Sequence, residues 1–167
     1  MPRNNNMKLR NVCLVLAVLC STDAAADEAI LAVGPGVHVS DSSTAYFLQY
    51  YRDAKGLWGF DSFFELSLGH WPGDAAATIA AASGGLRWNF ENRSYARVSL
   101  GAGYLNHTTE RLGTHGQFME QIVIGREFGA YDLGAGMIHI SNGDSILHTG
   151  EPNGGENFFT VRLGYRF

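Results

Sequence analysis

Alternation with a period of two, sustained to the last residue, constrains this chain more than any other feature. In residues 158–167 (FFTVRLGYRF), Phe159, Val161, Leu163, Tyr165 and Phe167 fall on one face of an extended strand. Thr160, Arg162, Gly164 and Arg166 fall on the other. Residues 58–68 (WGFDSFFELSL) repeat the pattern: Trp58, Phe60, Phe64, Leu66 and Leu68 oppose Gly59, Asp61, Glu65 and Ser67, with Phe63 the exception. Residues 95–105 set Ala96, Val98, Leu100, Ala102 and Tyr104 against Arg97, Ser99, Gly101 and Gly103. Residues 130–141 set Tyr131, Leu133, Ala135 and Met137 against Asp132, Gly134 and Gly136. Helical periodicity is weak after the N-terminal region. Eight segments therefore read as strands, at 29–39, 44–52, 57–69, 76–90, 95–105, 117–128, 130–141 and 157–167. The sixth is the least regular, because Glu120 and Arg126 fall on its apolar face. Short turns at 53–56, 91–94 and Gly129 alternate with longer connections at 70–75, 106–116 and 142–156.

The N-terminus predicts export. Arg3, Lys8 and Arg10 lead a short apolar run, Val12 to Cys20, and Ala24-Ala25-Ala26 supply small residues for cleavage. Residues 1–26 read as a signal peptide and residues 27–167 as one exported domain. Leu19 before Cys20 argues against a lipoprotein signal, which wants a small residue there. Cys13 and Cys20 both leave with the signal, so no disulfide is expected. Of 12 basic and 16 acidic residues, nine and fifteen remain, a balance that gives no support to nucleic-acid binding.

The two faces decide between a soluble and a membrane barrel. One carries Asp61, Glu65, Arg87, Arg97, Asp132 and Arg162 beside many glycines, which suits a narrow, polar, hydrogen-bonded interior. The other carries apolar rows with aromatics near the strand ends, as a lipid-facing band should. A closed barrel satisfies every backbone group inside lipid. The fold class is therefore all-β, an eight-stranded antiparallel transmembrane β-barrel, located in the outer membrane of a Gram-negative cell. A terminal Phe167 resembles the C-terminal signature of bacterial outer-membrane proteins. Barrels of eight strands are filled by their own side chains, so a diffusion pore is not expected.

Within the seventh segment, MIHISNG (137–143) places His139 and Ser141 on the parity of Tyr131, Leu133, Ala135 and Met137. The pair should face lipid, at the extracellular end of an outward-running strand, near the acyl esters of lipopolysaccharide. A histidine beside a serine is the pattern of a general base and its nucleophile. The plainer reading is two polar residues where a strand runs into a loop.

HISNG followed by PNGGEN (152–157) and a final strand resembles the lipid A 3-O-deacylase (PagL) family. That family carries His-x-Ser-Asn near the end of a penultimate strand, then a Pro-Asn-x-Gly-type loop and an acidic residue opening the last strand. The resemblance implies a serine esterase that removes the 3-linked primary acyl chain of lipid A, with Ser141 as nucleophile and His139 as base. It further implies that Asn142, Gly143 and Asn153 serve the oxyanion or substrate. The third member stays open. Family spacing and parity favour Asn157, whereas charge favours Glu156, provided a bulge turns it outward; chemistry tips the expectation to Glu156. HISNGD also departs from the family's usual Ala-Gly after the Asn. No metal-ligand spacing or cofactor motif is visible: His70, His107, His115 and His148 read as solvated loop residues. Lipopolysaccharide is the expected partner, with a homodimer as the protein-partner expectation. The competing functions are a non-catalytic barrel acting in anchoring, adhesion or binding, and an acyltransferase holding its chain in the lumen.

Overall fold

The computed structural model describes residues 27–37, 43–57, 60–73, 75–148 and 150–167. The signal-peptide reading, the end of the first predicted segment (38–39) and Trp58–Gly59 lie outside the described residues. Eight strands form a closed barrel in sequence order: β1 (Asp27–Pro35), β2 (Thr44–Leu57), β3 (Phe60–Trp71), β4 (Ala77–Asn89), β5 (Ser94–Leu105), β6 (Gly116–Phe128), β7 (Tyr131–Ser141) and β8 (Glu156–Arg166). Every neighbouring pair is antiparallel, and β1 closes on β8 from Glu28↔Arg166 to Val33↔Val161. One helical turn, α1 (Asp144–Leu147), interrupts the β7–β8 connection.

The expected faces hold. Leu48, Leu66, Leu68, Leu100, Ile122, Leu133 and Val161 point outward and are exposed, an apolar band that a water-facing wall would not carry. Phe128, Tyr131, Tyr165 and Phe167 gather at the end where the chain terminates, as an interfacial aromatic girdle. Phe63 keeps its parity: it points inward and packs on Tyr51, ring centroids 4.8 Å apart. Two details differ from the expectation. Residues 53–56 are not a turn, because β2 continues to Leu57, with a register shift between Ala54 and Leu57. His70 is not in a loop; it is the penultimate residue of β3 and its ring Nδ1 lies 3.0 Å from Thr78 Oγ1.

The interior has two storeys. In the middle and periplasmic part, Glu65 pairs with Arg162 (3.4 Å) and accepts from Gln49 (2.9 Å) and from Gln121. Arg97 pairs with Glu28 (3.7 Å) and lies over the Tyr51 and Tyr95 rings, and Tyr95 donates to Asp132 (2.6 Å). The extracellular part is mainly apolar: Phe47, Trp71, Ile79, Leu105, Leu112, Met119, Ile138, Ile140 and Phe158 form one buried cluster. The sequence pattern predicts a polar, hydrogen-bonded interior. Lumen-parity residues near the outer rim are instead large and apolar, and they close the barrel from inside. The back of β7 at the His139 level is thus held by Ile138 and Ile140 in a packed apolar cluster, which limits the freedom of the face that points to lipid.

Candidate active site

The site lies at the extracellular end of β7, on its outer face. β7 pairs with β6 and β8 in unbroken register, so Glu120, His139 and Asn157 stand side by side in one row across three strands. Phe118 stands opposite Ser141 on the β6 side. His139 is half-buried; Ser141, two residues on and at the strand end, is buried. Nδ1–H of His139 donates to Asn157 Oδ1 at 2.8 Å. That bond fixes the tautomer and leaves the lone pair on Nε2, the form a general base needs.

Asn157, not Glu156, is the residue brought to His139. Glu156 pairs with Ile140 in the β7–β8 ladder, on the lumen side. It is fully buried and faces Arg111, 3.4 Å away. The bulge that would have turned it outward is absent, because the ladder runs without a shift from Tyr131↔Tyr165 to Ile140↔Glu156. Charge complementarity was outweighed by strand parity.

The segment after β7 folds back tightly. Gly143 adopts φ +70°, and a Cβ there would come within 2.6 Å of the Phe118 ring. Its carbonyl accepts from the N–H groups of Ile146 and Leu147, forming α1. The side chains of Ile146 and Leu147 remain exposed beside the site. Asn142 is committed to the loop: its side-chain Nδ2 donates to Pro152 O (2.9 Å) and its Oδ1 accepts from Asp144 N–H (3.0 Å). The backbone N–H of Asn142 donates to Asn153 Oδ1 (3.0 Å). This bond anchors the carbonyl branch of Asn153 and leaves its amide branch as the hydrogen-bond donor.

Arg111, in the β5–β6 connection, ties this loop down. Its guanidinium donates to the carbonyls of Gly154 (2.7 Å) and Gly155 (2.7 Å), and Gly154 N–H donates back to Arg111 O (2.7 Å). Leu112 bridges Asn153, and Gly113 N–H donates to Pro152 O (2.8 Å). Gly155, at φ +62°, lies against the His139 ring; a Cβ there would come within 2.8 Å of Cε1. Sequence reasoning passed over both residues. Arg111 sits about 44 positions from its partners, beyond any periodic signal, whereas Gly155 was visible only as one glycine of a loop. Glu120 did leave a signal, as a carboxylate on an apolar parity.

The family model described as lipid A 3-O-deacylase (PagL) matches residues 30–166. Among solved structures, the barrel is similar to the outer membrane enzyme PagL, with a TM-score of 0.69 and 18% identity over 83% of this chain and 98% of that one. It is also similar to the Yersinia pestis outer membrane protein Ail, with a TM-score of 0.50 and 10% identity over 84% of this chain and 99% of that one. Neisserial surface protein A gives a TM-score of 0.50 and 12% identity over 87% of this chain and 98% of that one. At such identities these likenesses concern the fold. No curated protein was found to match the chain. With the family model spanning nearly the whole barrel, the chain belongs to the lipid A 3-O-deacylase (PagL) family.

Proposed function

We propose that this outer-membrane hydrolase removes the 3-linked acyl chain of lipid A through Ser141, His139 and Asn157, working on the lipid-facing wall. The observation that carries this reading is the His139 Nδ1–Asn157 Oδ1 bond of 2.8 Å on the outer face, with Ser141 two residues on in the same strand parity. Family membership supplies the reaction class; the chain's own residues supply the roles.

Nε2 of His139 takes the proton of Ser141 as its Oγ attacks the ester carbonyl. The tetrahedral intermediate collapses as the imidazolium returns that proton to the departing sugar hydroxyl. Water, activated by the same imidazole, then cleaves the acyl-serine and releases the fatty acid. Asn157 does what the amide does in Cys-His-Asn enzymes: it orients the ring and holds its tautomer. The Asn153 amide and the backbone N–H of Gly143 are the candidate donors for the developing oxyanion, because the N–H groups of Asn142 and Asp144 are already bonded within the loop. One such donor typically contributes ~2.7–4 kcal/mol to the transition state. Asn142 acts by holding Asn153, because its own side chain is spent on Pro152 and Asp144. The site opens to the outer leaflet, so the acyl ester reaches Ser141 without passing through the barrel. Residues 1–26 are proposed to direct export and to be removed.

The test is Ser141→Ala, assayed for loss of one 3-hydroxyacyl chain from purified lipid A in detergent. Deacylation should fall by about three orders of magnitude or more while the barrel folds. His139→Ala should lose about as much, and the double variant little more, because base and nucleophile act as one unit. A folded Ser141→Ala barrel retaining a tenth of the activity would move the chemistry elsewhere.

A further inference from the structure

Glu120 is a carboxylate on a face built for lipid. Its neighbours along β6 on that face are Phe118 and Ile122, and across the β5 ladder it meets Leu100. Its fourth neighbour, across the β7 ladder, is His139. Charge in an apolar band is costly and survives where it has a task, even though the cost falls towards the interface. Glu120 Oε2 lies 3.9 Å from His139 Nε2. That is too long for a hydrogen bond, so Nε2 keeps its lone pair for the serine proton. It is short enough for strong attraction once Nε2 is protonated, and water-poor surroundings strengthen that attraction.

The partner on the other side cannot supply this. Asn157 accepts from Nδ1–H but is neutral, so it orients the ring without stabilising the imidazolium by charge. The row Glu120–His139–Asn157 therefore divides between two strands what one carboxylate does in a Ser-His-Asp arrangement: holding the ring, and balancing the charge it acquires.

We propose that Glu120 is the counter-charge of the base, a positioning residue that acts through His139 while Asn157 sets the ring. This rests on the assignment of Ser141 and His139 above. It does not place Glu120 on the substrate.

A four-variant cycle in detergent micelles with purified lipopolysaccharide tests it, reading kcat and KM for the parent, Glu120→Gln, Asn157→Glu and the double variant. Folding of each is checked by heat-modifiable gel mobility. In the parent background, Glu120→Gln should lower kcat by about tenfold or more with KM nearly unchanged. In the Asn157→Glu background a carboxylate already faces Nδ1, and the same substitution should cost less than about threefold. A purely structural role for Glu120 gives the same loss in both backgrounds and overturns the inference. So does a loss confined to KM, or a parent-background Glu120→Gln within about threefold of full activity. Ser141→Ala, run alongside, separates the two readings. If it is inactive while Glu120→Gln is active, only the counter-charge fails; if it stays active, both fail.

Discussion

The barrel carries two ionic assemblies that differ in where they sit and how completely they are satisfied. Inside, Glu65 and Arg162 are both almost fully buried, and Gln49, Ser67 and Gln121 complete a network around them. Outside, Glu120 and His139 are partly exposed, stand 3.9 Å apart, and share their row with a neutral amide. The interior set is buried and mutually paired, with Gln49 Oε1 and Arg162 Nε left over but shut away from any substrate. The outer set leaves Nε2 of His139 without a close partner among the described residues, which is what a base requires. Buried pairs hold a shape, and loosely paired ones at a rim are available for chemistry.

Breaking the interior set should show the largest effect on stability. Arg162→Met leaves the Glu65 carboxylate buried without its cation, and such a break typically costs ~3–5 kcal/mol. Urea unfolding in lipid vesicles should register it, while the refolded fraction keeps its deacylase activity. A variant of unchanged stability would mean that the interior network contributes nothing to holding the barrel. The apolar outer band comes next. Val161 lies midway along β8, exposed between Val33 and Ala135. Val161→Arg should destabilise the barrel by ~2–4 kcal/mol in a bilayer, and a neutral result would argue for a wall facing water.

How much of this was legible in the sequence follows from the same division. Parity is a local property, so the strands, their faces and the outward direction of His139 could be read from residues two apart. Phe63 looked like a violation and is an inward residue filling space against Tyr51. The apolar upper storey was harder, because Ile138, Ile140 and Phe158 share a parity with charged residues lower in the barrel. Depth along a strand is not encoded by period. Arg111 was out of reach for another reason: its partners Gly154 and Gly155 meet it only when two loops dock. The choice of Glu156 over Asn157 ranked charge above register. In a continuous ladder, turning one side chain across the sheet needs an extra residue, and β8 has none there.

The smallest expected effect sharpens that last point. Glu156 and Asn157 are consecutive, and the wall of the barrel passes between their side chains. Asn157→Ala removes the acceptor of His139 Nδ1–H, and deacylation should fall by about a hundredfold, part of the ~10²–10⁴ that a positioned base provides. Glu156→Gln keeps volume and a hydrogen-bonding group inside the lumen. Arg111 still has the carbonyls of Gly154 and Gly155, and its guanidinium reaches solvent, so the loop stays docked. Stability should change by about 1 kcal/mol, the scale of one hydrogen bond, and activity by less than about twofold. Measuring both variants in one detergent preparation compares the lipid side of β8 directly with its lumen side. A tenfold loss in Glu156→Gln beside an unimpaired Asn157→Ala would require the start of β8 to turn over in the working enzyme, with the carboxylate reaching His139 from the face where it is now buried.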